Sequence, residues 1–314
     1  MGISNHTRPW RLALVACLML ALSALAATAT VHMVGRSGTG VKDDSSAADR
    51  LAASASPHAA DNTSTLAHAA PTRHCGRRRE WRTLSAAEQA HYIASVQCLQ
   101  RTPSALGHAA AGGSATANAT AHAYDDFPYV HAQVGRASHN AAPFLPWHRR
   151  FLAVYERTLR DACGFRGEGL VYWDWTLDWR ALQRAPVFDA VSGFGGDGQV
   201  GGEVVVGNTG RCVTDGPFAG ATARWYDREE RPHCLARGFR DEAGELGVMD
   251  GSALSPESID QVLRHADYEA LVKEMESRIH DAIPFGIGGD FETFTAPYGE
   301  SVEVGVPPDT KQAH

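Results

Sequence analysis

The stretch "HNAAPFLPWHRRFLAVYERTL", His139 to Leu159, decides the fold class. Counting from His148, the residues Phe151, Leu152, Tyr155, Leu159 and Ala162 fall at i+3, i+4, i+7, i+11 and i+14. That spacing lays one apolar stripe along a helix, predicted over His148–Cys163, with Gly164 to end it. Glu156 and Arg160 make an i,i+4 pair on another face. His148 shares the buried stripe. A lone buried histidine is ordinarily a satisfied core residue, so its meaning depends on what else converges on it.

Two further helical signals flank this stretch. "LSAAEQAHYIASVQCLQ" opens with a capping box, Ser85 to Glu88, and places Tyr92, Val96 and Leu99 at helical spacing, with His91 on the surface. Ser255-Pro256 starts another helix with a cap and a proline at its first position. After a break near Asp267, the residues Tyr268, Leu271, Val272, Met275 and Ile279 form a second amphipathic run, with His280 at its edge. The glycine-rich segment 193–210 lacks the Lys-Ser/Thr ending of a phosphate loop and reads as a loop with a short strand at Val204–Val206. These signals predict several helices joined by long loops.

The chain has 314 residues, net charge −7, and one dense basic run, "RHCGRRRE", without interleaved aromatics. This excludes nucleic acid as the expected partner and reads as solvated surface. Arg8 and Arg11 precede an uncharged apolar run, Leu12–Leu22, and the small residues "SALAATAT". Residues 1–26 thus read as a secretory signal peptide cut after Ala26, or as a membrane anchor stretched over 12–34. Either way, the expected localisation is secreted or extracellular. Residues 27–72 carry few large apolar side chains and read as a disordered linker. "GHAAAGGSATANATA", Gly107–Ala121, reads as an exposed loop, with His108 and the adjacent His122 as surface residues. Asn62 and Asn118 are glycosylation acceptors. Outside the signal, Cys75, Cys98, Cys163, Cys212 and Cys234 number an odd five, so at most two disulfides form.

Three histidines stand in "YDDFPYVH", eight residues on, and nine after that: His131, His139 and His148. Three neutral imidazoles converging from two helices and a loop suit copper, and facing helices are the usual place for such a site. "YDDFPYVH…H…FLPWHRRFLAVYERTLRDACGF…VYWDW" closely resembles the first copper site of tyrosinases and catechol oxidases. "REWRTLSAAEQAHYIASVQCL" resembles the N-terminal helix of secreted fungal-type members, and "CVTDGPFA…RPHCLARGF" their middle segment. The resemblance covers roughly Cys75 to Tyr298, within a domain taken as 73–298. It implies a mainly α fold with a central four-helix bundle and long loops, two copper ions, and oxidation of phenols or o-diphenols to o-quinones with O₂. By position it makes His131, His139 and His148 the ligands of copper A.

The second copper site departs from that pattern, which is H-x-x-x-H followed by a third histidine on the next helix. Here "ESRIHDAIPFGIGGDFETFTAPY" supplies His280, but Pro284 stands four residues on, where proline has no ligand atom and is expected to end the helix. Copper B is therefore partial. Asp281 is either a general base for the phenol or a helix-surface carboxylate. His233, beside Cys234, reads as structural, and His265 as exposed. Residues 299–314, "GESVEVGVPPDTKQAH", lie outside the family pattern, so the last bundle helix reads as missing. Gly299-Glu300-Ser301 can be encoded with a splice-donor sequence, and the tail is expected to be translated intron. Two rivals to the oxidase reading stay open: a truncated, non-catalytic chain with at most one copper, and a hemocyanin-like oxygen carrier.

Overall fold

The computed structural model of the chain describes residues 76–106, 121–295 and 303–304. The expectations for the signal or anchor, the linker, Asn62, Asn118, Cys75 and His108 lie outside them. No helix among the described residues is long and apolar enough to cross a membrane.

The chain is mainly helical. Helix α1, Ala86–Leu99, begins at the capping box: Ser85 Oγ accepts from Glu88 N–H and Glu88 Oε2 accepts from Ser85 N–H. Helix α2 is Ala123–Ser138 and carries Pro128 in its interior. Helix α3 is Phe144–Cys163, so it starts four residues before the predicted His148. Pro146 is the third residue of that helix, where a backbone N–H has no intrahelical partner to lose. At the other end Gly164 takes φ 65°, and the bonds Gly164 N–H to Arg160 O and Phe165 N–H to Leu159 O close the helix as predicted. The disulfide Cys98–Cys163 ties the last turns of α1 and α3. Tyr92, Val96 and Leu99 of α1, Phe127 of α2 and Leu159 of α3 meet in one core with Trp81 and Leu170.

Short strands hold the loops. β1, Arg79–Glu80, lies parallel to β2, Val171–Trp173. β3, Arg211–Cys212, pairs antiparallel with β6, Ala236–Arg237, while β4, Thr222–Tyr226, and β5, Glu229–Cys234, form a hairpin. The second disulfide is Cys212–Cys234. At the far side of β2, β7, Glu303–Val304, pairs parallel with Tyr172 and Trp173. A strand at Val204–Val206 does not form; a single bridge, Val206 to Gly210, turns the chain there instead. Nearer the start of the glycine-rich segment, the buried Arg237 guanidinium donates to the carbonyls of Phe194, Gly195 and Gly196.

The C-terminal helices are α4, Pro256–Leu263, capped by Ser255, and α5, Tyr268–Glu274, capped by Asp267. α5 passes into a π turn, Met275–His280, and then α6, Ala282–Ile287. Two expectations need correction. Tyr268 is exposed rather than on the buried stripe, and its hydroxyl donates to Ala142 O. Pro284 does not end the helical run, because the chain restarts at Ala282 and Pro284 falls in the first turn of α6, where its missing N–H costs nothing.

Candidate metal centre

Each of the three predicted histidines is aimed by its own backbone neighbour. His131 lies on α2 and its Nδ1–H donates to Phe294 O at 2.6 Å. His139 is the residue that terminates α2, in extended conformation, and its Nδ1–H donates back to Gly135 O at 2.9 Å. His148, one turn into α3, donates from Nδ1 to Phe144 O at 2.7 Å. Carbonyl oxygens only accept, so all three rings carry their proton on Nδ1 and leave a lone pair on Nε2. The ligand atoms of the three lie within 4.8 Å of one another.

The electrostatics are those of a neutral, cation-seeking cluster. Burial pushes the His131 imidazolium well below its ordinary range, and the neighbouring His148 pushes it further. Burial lowers His139 as well, and lowers His148 to about 3. His131 Nε2 and His148 Nε2 stand 3.2 Å apart, lone pair facing lone pair. That contact is repulsive unless a cation lies between the rings. Three neutral imidazoles without a thiolate suit a borderline metal such as copper, so the donor set fits.

His280 comes beside the three without joining them. Its ring centroid is 5.8 Å from that of His139 and 6.4 Å from that of His148. Its Nδ1 is bonded to Asp281 Oδ1 at 3.0 Å, so the two residues proposed for the second metal and for proton transfer are coupled to each other. Pro284 is buried in α6 and brings no donor. Among the described residues no second group of three ligating side chains forms. His91 and His265 are exposed, as predicted, the latter paired with Glu274. His122 is half-buried against Asp125.

Sequence reading missed three participants. Glu276, 2% exposed, accepts from the N–H of Asn140, the residue after His139, at 2.6 Å. Burial raises its carboxyl above the usual range. Asn140 sits at φ 52°, so this bond holds an uncommon backbone turn. Glu276 precedes His280 by one helical turn, a spacing that could have flagged it. Phe294 supplies the His131 carbonyl and lays its ring 4.9 Å from His139. Gly135 makes room for it: a Cβ there would stand 2.6 Å from the Phe294 ring. The third is Asp290, buried and 2.7 Å from His233, the residue that the sequence marks as structural.

Mainly helical chains that present three neutral imidazoles to one point form a class of histidine-bound metal proteins. The family model "Common central domain of tyrosinase" matches residues 121–299. The chain belongs to the tyrosinase family. It is 46% identical over 231 residues to the tyrosinase-like protein phomQ1' of Diaporthe leptostromiformis, covering 70% of this chain and 57% of that protein. It is 42% identical over 239 residues to tyrosinase ustQ of Aspergillus flavus, covering 76% and 63%. The N-acetyl-6-hydroxytryptophan oxidase ivoB of Emericella nidulans matches at 35% over 159 residues, 45% of this chain and 41% of that one. Among solved structures, a polyphenol oxidase point mutant from Thermothelomyces thermophila superposes with a TM-score of 0.56 at 26% identity, covering 71% of this chain and 65% of that one. The chain spans little more than half the length of the first of these curated relatives.

Proposed function

We propose that the chain is a secreted copper oxidoreductase that holds copper at His131, His139 and His148 and oxidises phenols or o-diphenols to o-quinones with O₂. The observation that carries this is the pair of facing Nε2 lone pairs, 3.2 Å apart, on rings whose protons are fixed on Nδ1. Copper, when bound, supplies the one-electron steps that O₂ otherwise takes slowly. Two o-diphenols then give two quinones while one O₂ becomes two waters. The protein's part is to keep the imidazoles neutral and to accept the phenol proton. Asp281 is the proposed acceptor, since its carboxylate is bonded to His280, whose ring stands 5.8 Å from that of His139. Two disulfides among the described residues favour an oxidising compartment.

A second reading has one specific support. The family pattern has a second histidine four residues after the first, where this chain has Pro284 after His280, and this favours one tightly held copper and no turnover. Oxygen uptake by the copper-loaded chain with catechol separates the cases. Uptake with quinone absorbance supports the oxidase. One tightly bound copper per chain without uptake supports the single-metal reading, and reversible O₂ binding without catechol loss supports a carrier.

A further inference from the structure

Asp290 is a fully buried carboxylate with a defined partner at each oxygen. Its Oδ1 accepts from His233 Nε2–H at 2.7 Å and its Oδ2 from Ala236 N–H at 2.8 Å. The other nitrogen of His233 donates to Arg231 O, so the ring is held at both ends. Such a pair is a poor stabiliser compared with apolar packing, because both charges are taken out of water. What it does fix is position. Gly289, at φ 60°, lets the chain press onto β6, where a Cβ would meet Ala236 O at 2.5 Å. Thr293 Oγ1 then accepts from Asp227 N–H. Four residues after Asp290 comes the Phe294 carbonyl that receives the His131 proton.

We propose that His233 and Asp290 are a positioning pair for the metal centre: by anchoring Gly289–Thr295 they set the Phe294 carbonyl and thereby the orientation and tautomer of His131. The inference rests on the copper reading of the three histidines for its consequence, but its structural content concerns the metal-free ring. Partners that orient ligating histidines change metal affinity about 10- to 100-fold when removed. The pair reaches across 57 residues of sequence to act on a ring that neither member touches.

The test compares wild type with His233→Leu, His233→Gln, Asp290→Asn and Gly135→Ala, using ¹⁵N-histidine spectra of the metal-free chain and copper competition against a chelator. Wild type is expected to show Nδ1–H on His131, His139 and His148. In His233→Leu, His131 alone should become a mixture of tautomers, with copper held about 10-fold or more weakly. Glutamine, which still donates to Asp290, should restore both. Gly135→Ala should disturb His131 independently, by displacing Phe294, which checks that the Phe294 carbonyl sets the ring, and Asp290→Asn decides the part of the pair if His233→Leu does not fold. A fixed wild-type tautomer of His131 in folded His233→Leu, or in folded Asp290→Asn where the leucine variant does not fold, overturns the proposal. If wild type binds no copper but the tautomer still responds, the copper reading fails and the positioning pair stands.

Discussion

Nδ1 protonation costs the three histidines nothing, because each ring has a main-chain carbonyl within reach: Phe294, Gly135 and Phe144. Removing one ring removes one of three donors. His148→Ala should therefore lower copper affinity by more than about 100-fold, beyond what losing an orienting partner costs. Copper retained after dialysis checks it, and undiminished metal would mean that the site is misassigned. Glu276→Ala acts one step further out, by freeing the Asn140 N–H and the turn after His139. A loss of about 10-fold in copper affinity is expected, with wild-type affinity largely kept in Glu276→Gln, whose amide oxygen still accepts. That His131, His139 and His148 come together was legible in the sequence because "YDDFPYVH" and "FLPWHRRF" are specific words. Phe294 was not, since a carbonyl has no side-chain signature and its partner lies 163 residues away. Asp290 and His233 share that difficulty, being joined only by the fold.

Elements were legible where local chemistry decides them. Ser85, Ser255 and Gly164 mark helix ends that formed where predicted, each through a cap that involves only near neighbours. The π turn Met275–His280 and the restart at Ala282 were not legible, because an extra residue in a helical turn leaves the apolar spacing almost unchanged. Gly164 has open space around its absent Cβ, so Gly164→Ala tests backbone conformation alone. A destabilisation of about 1 kcal/mol is expected from the left-handed φ, read as a lower urea midpoint with unchanged slope. The Cys98–Cys163 disulfide ties two helix ends across a separation of 65 residues. Replacing both cysteines by alanine should cost about 4 kcal/mol, measured the same way. A loss below about 1 kcal/mol would mean that packing between α1 and α3 already holds these ends together.

For the molecule as a whole, stability and metal binding should respond to pH differently, and the difference tests the centre without any turnover. In the metal-free fold His131, His139 and His148 are held neutral below their ordinary pKa, mainly by burial, whereas the unfolded chain protonates them near 6.5. The unfolded state then binds more protons below pH 6.5, so this contribution is complete above that pH and is lost as pH falls toward about 3, the value for His148. Each such proton gives a slope of about 1.4 kcal/mol per pH unit. His233 has the opposite sign. Burial lowers it, but the bond and charge of Asp290 outweigh burial, so its folded value is raised. Its contribution is complete below 6.5 and fades as pH rises through the folded value. The contribution of the three histidines to the urea midpoint of the metal-free chain should therefore fall on acidification from pH 7 to 5, opposed by His233 and by Asp126, whose carboxyl burial raises to about 6. Added copper competes with no protons at His131 and His148 in the folded state between pH 5 and 7, because burial holds both rings neutral there, and burial lowers His139 as well. It should raise stability by a constant offset, RT ln(1 + [Cu]/Kd), leaving the slope unchanged between pH 5 and 7. Parallel lines are the expected result. A flat metal-free line, with a copper offset that shrinks steeply below pH 6.5, would mean that the imidazoles titrate freely in the fold and that the cluster is not preorganised for a metal.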